Sequence, residues 1–273
     1  MWRRFVRTEP DIQDEAFDRW LRALEARHLA DLTFTEVARA LRALSSTYVE
    51  RRQRLAEGAA LAGAGKRAAF ALFYGPLHYL LIREIVRALP GATAHGPATA
   101  GHYVRESVRV PTLVDLGCGT GAAGAAWAAA CDAQPQIIGI DRHPWALTEA
   151  AQTYRDFGLQ ASVRRGDAAV ARFPKSPAAL LAAFTVNELP DEARDVLLRR
   201  LIDRAAGGDR VLIVEPVAGF VTPWWNRWRE VVAAAGGRDD RWRIRIDLPA
   251  IVAKLDRAAG LDHRELTARS LWL

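Results

Sequence analysis

The chain has 273 residues, of which 50% are hydrophobic and 26% charged, a balance typical of a globular protein large enough to fold around its own core. Its two cysteines, Cys118 and Cys131, exclude a disulfide framework and a cysteine-rich metal site, so we expect no metal and a reducing, cytoplasmic location. The net charge of +6 and the pI of about 9.8 favour a polyanionic partner such as RNA, although a GC-biased genome would give the same excess of arginine.

Residues 1–90 are predicted to be helical. The stretch IQDEAFDRWLRALEARHL, residues 12–29, spaces its large apolar side chains as one face of a helix requires. The next helix opens with a capping box, in which Thr33 and Glu36 each satisfy a free amide of the first turn. The sequence therefore predicts an all-helical N-terminal domain.

The most apolar segment is AAFALFYGPLHYLLI, residues 68–82. Gly75 and Pro76 lie in its middle, and proline removes a backbone donor from a helix and clashes with the preceding turn. We therefore predict two buried helices with a kink between them. Since the segment is too short to span a bilayer, no membrane association is expected.

The character of the sequence changes after residue 90. Residues 91–109 are predicted to be a linker, because PGATAHGPATAG has many helix breakers and no periodicity. Short apolar runs then alternate with amphipathic segments over residues 110–273, which predicts a doubly wound parallel sheet with helices on both faces, an α/β fold. The runs are TLVDLG, QIIGID, ASVRR, ALLAAF, RVLIVE and RELTARSLWL, with RWRIRIDLP as a possible further strand.

The most informative stretch is LVDLGCGTGAAGAAW, residues 113–127, where an apolar strand runs into a glycine loop. Its GxGxxG pattern, followed by Asp141, matches the dinucleotide-binding fingerprint. A longer DxGxGxG pattern matches the loop that binds S-adenosylmethionine (SAM). That longer pattern consists of Asp115, Gly117, Gly119 and Gly121.

The position of Asp115 distinguishes the two interpretations. A central parallel strand is buried on both faces, and a carboxylate there is costly unless a cation or a donor meets it. The phosphates of a dinucleotide would be repelled, whereas SAM carries an ammonium and a sulfonium group. We therefore predict that Asp115 complements the charge of SAM, and that its removal abolishes SAM binding. The alternative is that Asp115 caps its own turn.

Further cofactor contacts are predicted at the carboxyl ends of the next strands, where open α/β sheets bind ligands. Asp141 is expected to accept hydrogen bonds from the ribose hydroxyls, with Arg142 beside the adenine. Asp167 and the amide of Ala168 are expected at the adenine amino group, although each acid is also a candidate helix N-cap. Two further residues, Cys118 in the loop and Thr185 after the fourth strand, complete the predicted cofactor set.

The motifs LVDLGCGTG, IIGIDRHPWAL, GDAAV and VLIVEP resemble those of class I SAM-dependent methyltransferases. This resemblance covers residues 110–273 and implies a Rossmann-like, seven-stranded sheet with a reversed last strand and SAM as the cofactor. The segments EVARALRALSSTYVERR, GKRAAFALFYGPLHY and AFTVNELPDEAR are similar to the small-ribosomal-subunit-associated methyltransferase-like family of bacteria and mitochondria. That similarity implies a link to rRNA or the ribosome, without the cysteine-rich metal site of the mitochondrial members.

The segment FTVNELP follows the fourth strand, where methyl transfer is expected. Asn187 and Pro190 loosely resemble the N-P-P-aromatic motif of amino methyltransferases, in which the asparagine accepts from the target amine. Asn187 is therefore predicted to hold substrate or the methionine end of SAM, and Glu188 to pair with a donor. Alternatively, Asn187 is a turn residue before the next helix.

Two basic regions are candidates for RNA contact. Residues 219–249 interleave tryptophans with arginines, as base stacking and phosphate pairing require, unless the tryptophans instead close the core. A basic strip in the N-terminal region faces few acids. The strip consists of Arg39, Arg42, Arg51, Arg52, Arg54, Lys66 and Arg67.

Three functions follow from these patterns. The preferred one is a SAM-dependent methyltransferase acting on RNA, specifically small-subunit rRNA. The second is a methyltransferase for a small molecule, for which the helical region and the tryptophan-rich segment would close an aromatic pocket. The third is a SAM-binding ribosome assembly factor with little activity.

Overall fold

The computed structural model describes residues 2–5, 12–50, 61–93, 112–217 and 223–273. These residues form a sheet with helices on both faces. The strands are β1 (Trp2–Phe5), β2 (Thr112–Leu116), β3 (Gln136–Asp141), β4 (Ala161–Arg165), β5 (Ala178–Ala183), β6 (Arg210–Glu215), β7 (Arg238–Arg245) and β8 (Glu265–Trp272). The helices are α1 (Ile12–His28), α2 (Phe34–Glu50), α3 (Ala64–Ala69), α4 (Gly75–Ala88), α5 (Ala122–Ala130), α6 (Pro144–Asp156), α7 (Asp191–Ala206), α8 (Trp225–Ala234) and α9 (Ala250–Ala258).

The strand order is β1-β7-β8-β6-β5-β2-β3-β4. Strand β8 is antiparallel to both of its neighbours, β6 and β7, and the other pairs are parallel. The predicted α/β sheet with a reversed last strand is therefore confirmed, and RWRIR supplies the additional strand β7. The chain leaves β2 towards β3 and β4 on one side and returns to β5 and β6 on the other. Such a reversal in strand order is where ligands of open α/β sheets bind.

The prediction of a helical N-terminal region did not include β1. Trp2–Phe5 pairs in parallel with β7 and extends the sheet at its edge. A strand of four residues leaves too short an alternation to detect in the sequence. It forms where the outer edge of β7 offers unpaired backbone donors and acceptors.

The apolar segment is one uninterrupted helix rather than two, so the predicted break at Gly75 and Pro76 is wrong. A π-helical turn, Phe70–Tyr74, joins α3 to α4 directly. Since Pro76 has no N–H to donate to the preceding turn, the wider π-turn accommodates it without ending the helix. The resulting helix, Ala64–Ala88, is long and apolar enough to cross a membrane, but 78% of its most apolar window is buried inside the protein.

The N-terminal helices pack against the helices of the sheet. Trp20 of α1 is fully buried and donates from Nε1 to Thr153 Oγ1 of α6, 3.2 Å away. Arg27 of α1 forms ion pairs of 2.8 Å with both Glu149 and Asp156. The two regions thus share one hydrophobic core. Most of the predicted linker lies outside the described residues, so the domain boundary stays a prediction.

The tryptophans of the segment 219–249 pack into the protein, as the structural alternative proposed. Trp225 and Trp228 of α8 are buried beneath the sheet, and Trp242 of β7 is buried on its other face, where its Nε1 donates to Ser270 Oγ at 2.8 Å. The alternate residues of β7, including Arg241, are exposed. Residues 219–222 lie outside the described part of the chain.

This packing predicts that Trp228→Ala lowers the free energy of unfolding by about 3–5 kcal/mol, because it leaves a large cavity beneath the sheet. Urea denaturation measures the change. The control Arg241→Ala, on the exposed face of β7, is expected to change stability by less than about 0.5 kcal/mol. If Trp228→Ala were as stable as the control, the assignment of this tryptophan to the core would be wrong.

Candidate active site

A cavity of about 810 Å³ opens at the carboxyl ends of β2, β3, β5 and β6. The π-helical turn and α4 cover it, and the start of β8 closes one side. Its size falls within the range of roughly 300–1,000 Å³ for small-molecule sites. The strand order determines which elements line each end of the cavity. Strands β3 and β4 lie at one end, the glycine loop lies in the middle, and β6 and β8 lie at the other end.

The glycine loop has a conformation that requires glycine. Gly117, Gly119 and Gly121 all have positive φ, between 52° and 77°. A Cβ on Gly117 would lie 2.4 Å from Thr185 Oγ1, whereas a Cβ on Gly119 would meet only Phe70, at 3.8 Å. Gly119 lines the cavity, so its missing side chain leaves room for a ligand against the backbone. Gly121 begins α5 in the left-handed conformation.

Asp141 fastens the loop to the end of β3. Its Oδ2 accepts from the amide of Gly119 at 2.9 Å, and its Oδ1 accepts from the amide of His143 at 2.8 Å. The carboxylate lines the cavity, where each oxygen retains a lone pair for a ligand hydroxyl. Asp141 therefore lies where the sequence predicted it.

Asp115 requires a correction. Its carboxyl is buried and lies outside the lining of the cavity. Oδ2 accepts from the amide of Gly124 in the first turn of α5 and from the hydroxyl of Tyr154, both at 3.0 Å. The protein thus supplies the donors that the prediction assigned to a cationic ligand, and the capping alternative describes this carboxyl better. A Cβ on Gly124 would lie 2.5 Å from Oδ2, so this contact also explains that glycine.

Burial raises the pKa of Asp115 to about 7, although the hydrogen bonds from Tyr154 and Gly124 oppose the shift.

The adjacent Cys118 is buried in the lining of the cavity, and burial raises the pKa of its thiol well above the usual range. Cys118 donates its backbone N–H to the carbonyl of Ile140 at 3.0 Å. Its side chain is therefore a small neutral group that fills space beside the loop.

The predicted adenine contacts divide into two groups. Arg142 and Ala168 line the cavity, as expected. Asp167 does not; its Oδ1 accepts from the amide of Ala169 at 2.8 Å, and its Oδ2 lies 3.7 Å from Arg142. Asp167 therefore caps its own turn, the alternative that the sequence left open, and reaches the site only through Arg142.

Thr185 lines the cavity but turns its hydroxyl towards the glycine loop. Oγ1 donates to a backbone carbonyl and lies 2.9 Å from that of Leu116 and 3.1 Å from that of Ala183. Its neighbour Phe184 has φ +58°, which a bulky side chain adopts only where the surrounding structure holds it. The strained turn at the end of β5 thus presents Phe184 to the cavity and Thr185 to the loop.

Phe184 and His78 form the aromatic part of the cavity. Their rings stack with centroids 4.1 Å apart and planes 17° apart. Burial lowers the pKa of His78 to about 4, so its imidazole is neutral near pH 7. Phe70 and Tyr74 of the π-helical turn line the same space. Such a surface suits a planar, uncharged group.

Asn187 and Glu188 both line the cavity, in a 3-10 turn that follows Thr185. The backbone N–H of Asn187 donates to Oε1 of Glu215 at 3.1 Å. Glu215 also lines the cavity, and burial raises its pKa to about 8. Its other oxygen, Oε2, is buried without a hydrogen-bond partner among the described residues.

A histidine–aspartate pair lies at the β8 side of the cavity. Asp256 of α9 is buried, and its Oδ1 lies 2.5 Å from Nδ1 of His263. Its Oδ2 accepts from the backbone amide of His263 at 2.9 Å. His263 lines the cavity, with its ring edge against Phe73 at a centroid distance of 5.5 Å.

Sequence reasoning missed five residues of this site. Glu215 carries the same signal as Asp115, an acid at the end of an apolar strand, and that signal could have revealed it. His78 lies in an apolar helix, and only the fold brings Phe184 to it. His263 and Asp256 are seven residues apart, across the end of α9, and match no motif.

The described residues contain no group of three or more His, Cys, Asp or Glu side chains that could hold a metal ion.

Residues 113–206 match a methyltransferase domain family. This part of the chain, about a third of its length, is a methyltransferase domain. The match runs from β2 to α7 and includes the glycine loop and Asp141, and the cofactor of this enzyme class is SAM. Two residues of the site fit SAM. Gly119 leaves open space for it, and the carboxylate of Asp141 offers it hydrogen-bond acceptors.

Several solved structures are similar to the chain. The YcgJ protein from Bacillus subtilis is 12% identical, with 71% of this chain and 95% of that one covered and a TM-score of 0.43. The tRNA (uracil-54, C5)-methyltransferase of Pyrococcus abyssi is 11% identical, with 72% and 38% covered and a TM-score of 0.43. The O-methyltransferase NcsB1 from neocarzinostatin biosynthesis is 18% identical, with 74% and 57% covered and a TM-score of 0.41. No curated protein matches the chain.

The buried carboxyl of Glu215 predicts a pH dependence of stability. Because its pKa in the folded protein lies above the ordinary value of 4.5, the folded state binds its proton more tightly than the unfolded state. This contribution is complete below about pH 4.5 and is lost as the pH rises through 8. Glu215→Gln should therefore flatten the decline in stability between pH 5 and 8, by up to about 1 kcal/mol per pH unit.

Urea unfolding at several pH values between 5 and 8 measures this slope. Glu192→Gln, an exposed glutamate on α7, is the matched control and should follow the wild type. The raised pKa of Asp115 contributes a slope of the same sign in all three proteins and cancels in the comparison. Equal slopes for Glu215→Gln and the wild type would contradict an ionisable, destabilising carboxyl at this position.

Proposed function

We propose that the chain transfers a methyl group from SAM to a planar heteroaromatic acceptor, and that this acceptor is a base of RNA, specifically of small-subunit rRNA. The observation that supports this most is the stacked His78–Phe184 surface beside the glycine loop. A nucleobase has the flat, neutral face that such a surface accommodates. Because this surface lies inside the cavity, the base must be turned out of its stack to reach it, as in other enzymes that modify bases.

We further propose roles for the cofactor-lining residues. Gly117, Gly119 and Gly121 shape the loop against the methionine end of SAM, and Asp141 accepts from the ribose hydroxyls. Arg142, the amide of Ala168 and the side chain of Cys118 surround the rest of the cofactor. Asp115 and Thr185 act indirectly, by holding α5 and the loop in place. When bound, SAM supplies an electrophilic methyl group on a sulfonium.

The acceptor end is assigned to the residues after β5 and β6. Asn187 lines the cavity in the turn that Glu215 anchors, so its side chain can hold a polar edge of the acceptor. The neighbouring Glu188 is exposed at the opening, where it can pair with a donor. Positioning of this kind accounts for much of the catalysis of an in-line displacement.

Cations near the opening support an RNA acceptor. Arg142 and Arg165 line the cavity and are exposed, and Arg164 is exposed beside them on β4. Phosphate contacts of this type position RNA without reading its sequence. Within the basic strip, Arg39 and Arg42 are exposed, whereas Arg51, Arg52 and Arg54 lie outside the described residues. An rRNA acceptor also agrees with the cytoplasmic location expected from the sequence.

A small aromatic molecule is the second candidate acceptor. The covering helix places Phe70, Tyr74, Leu77 and Leu81 over the cavity, which gives the closed, apolar character that the sequence analysis associated with a small-molecule enzyme. This candidate needs no basic surface, so the two candidates differ in their dependence on salt.

Radiolabelled SAM distinguishes these possibilities. The full chain is incubated with deproteinised small-subunit rRNA, with assembled subunits and with a metabolite extract, at low and moderate salt. We expect label in rRNA, and RNA affinity that falls steeply with salt because phosphate contacts release counterions. Label only in metabolites would favour the small-molecule candidate. SAM binding without transfer to any fraction would overturn the proposal in favour of an assembly factor.

A further inference from the structure

We propose that His263, positioned by Asp256, is the general base that takes the proton from the acceptor during methyl transfer. This inference rests on the proposed function and deepens it, because it restricts the acceptor atom to a nitrogen or oxygen that carries a proton. An acceptor that loses no proton would need no base.

The geometry of the pair fixes the imidazole. Asp256 receives two hydrogen bonds from one residue, from the backbone amide of His263 at 2.9 Å and from its Nδ1 at 2.5 Å. The backbone bond sets where the residue lies, and the ring bond sets its orientation and tautomer. With the proton on Nδ1, the lone pair is on Nε2. Nε2 has no hydrogen-bond partner in the part of the chain that the structure describes.

The position of the pair agrees with a role at the acceptor rather than at the cofactor. His263 precedes β8, which lies beyond β6 and β5 from the glycine loop, whereas the ribose site at Asp141 lies on the opposite side of that loop. His263 therefore lines the end of the cavity that contains Asn187 and Glu215. Its ring edge rests against Phe73 of the π-helical turn that covers the site.

The surroundings allow the imidazole to accept a proton. Asp256 is buried against Nδ1 of the ring, which leaves Nε2 for the acceptor. The ionisable side chains that line this end of the cavity are His78, Glu188, Glu215 and Glu265. Glu265 is committed to ion pairs with Arg243 and Arg245, at 3.3 Å and 3.1 Å. Phe73, the contact from the covering turn, carries no charge.

The lone pair of the acceptor nitrogen or oxygen forms the bond to the methyl carbon, and the bond from that carbon to sulfur breaks with its electron pair remaining on sulfur. The proton of the acceptor moves to Nε2 of His263, and the resulting positive charge faces Asp256. Solvent then removes this proton, which restores the neutral imidazole.

The test uses single-turnover transfer from saturating labelled SAM to small-subunit rRNA. We expect His263→Asn to lower the rate by about 10²–10⁴-fold, because asparagine retains a donor for Asp256 but cannot take a proton. The rise in wild-type rate with pH should disappear in this variant. The affinity for SAM, measured by calorimetry, should stay within about twofold. Arg264→Gln, on the exposed neighbouring residue, is the control and should behave as the wild type.

Asp256→Asn tests the positioning residue. Without the carboxylate the ring loses the acceptor that holds its Nδ1–H tautomer, so the rate should fall while the affinity for SAM stays within about twofold of the wild type. The exposed Asp262→Asn, in the same loop, is the matched control. Nitrogen NMR of the imidazole provides a readout independent of activity. We expect the Nδ1–H tautomer in the wild type and a shift towards Nε2–H in Asp256→Asn.

Transfer by His263→Asn within threefold of the wild-type rate, with the rising limb unchanged, would overturn the proposal. If that variant did not fold, an unchanged rate in Asp256→Asn together with an Nε2–H tautomer in the wild type would overturn it equally. Failure of the proposed function is distinguishable, because the wild type itself would then transfer no label.

Discussion

The active site depends on two carboxyl groups at the ends of adjacent strands, which hold the glycine loop by its backbone. Asp141 at the end of β3 accepts the amide of Gly119, in the middle of the loop. Asp115 in β2 accepts the amide of Gly124, in the helix that the loop enters. Since Gly117, Gly119 and Gly121 have no side chains to pack, these hydrogen bonds and that of the Thr185 hydroxyl help to determine the path of the loop backbone.

Once the loop is fixed, the strand order arranges the rest of the site. The proposed cofactor side follows β3 and β4, and the proposed acceptor side follows β5, β6 and β8, under a covering helix that packs on α5. The covering helix, Ala64–Ala88, therefore forms part of the candidate site, although it belongs to the N-terminal region. The π-helical turn is the clearest sign of this, because it carries Phe70 and Tyr74 over the cavity.

The sequence predicted what local patterns determine. Apolar runs and glycine spacing located β2 to β8, the loop and Asp141. It could not show the partner of Asp115, because Tyr154 is 39 residues away and meets the carboxyl only when α6 packs on the sheet. The prediction that Asp115 binds the ligand therefore rested on charge complementarity alone. In the structure, donors of the protein itself satisfy this carboxyl. The contacts of Asp256 with His263 likewise arise from the turn after α9, which has no sequence signature.

Calorimetry of SAM binding to Asp141→Ala and Asp167→Ala tests the central claim most directly. Both changes remove an acid from the end of a neighbouring strand, but only Asp141 holds the glycine loop and lines the cavity. We expect Asp141→Ala to weaken SAM binding by about 10–100-fold, the loss of charge-assisted hydrogen bonds, and Asp167→Ala to stay within about threefold of the wild type. Unchanged affinity in Asp141→Ala, or equal losses in both variants, would contradict this account.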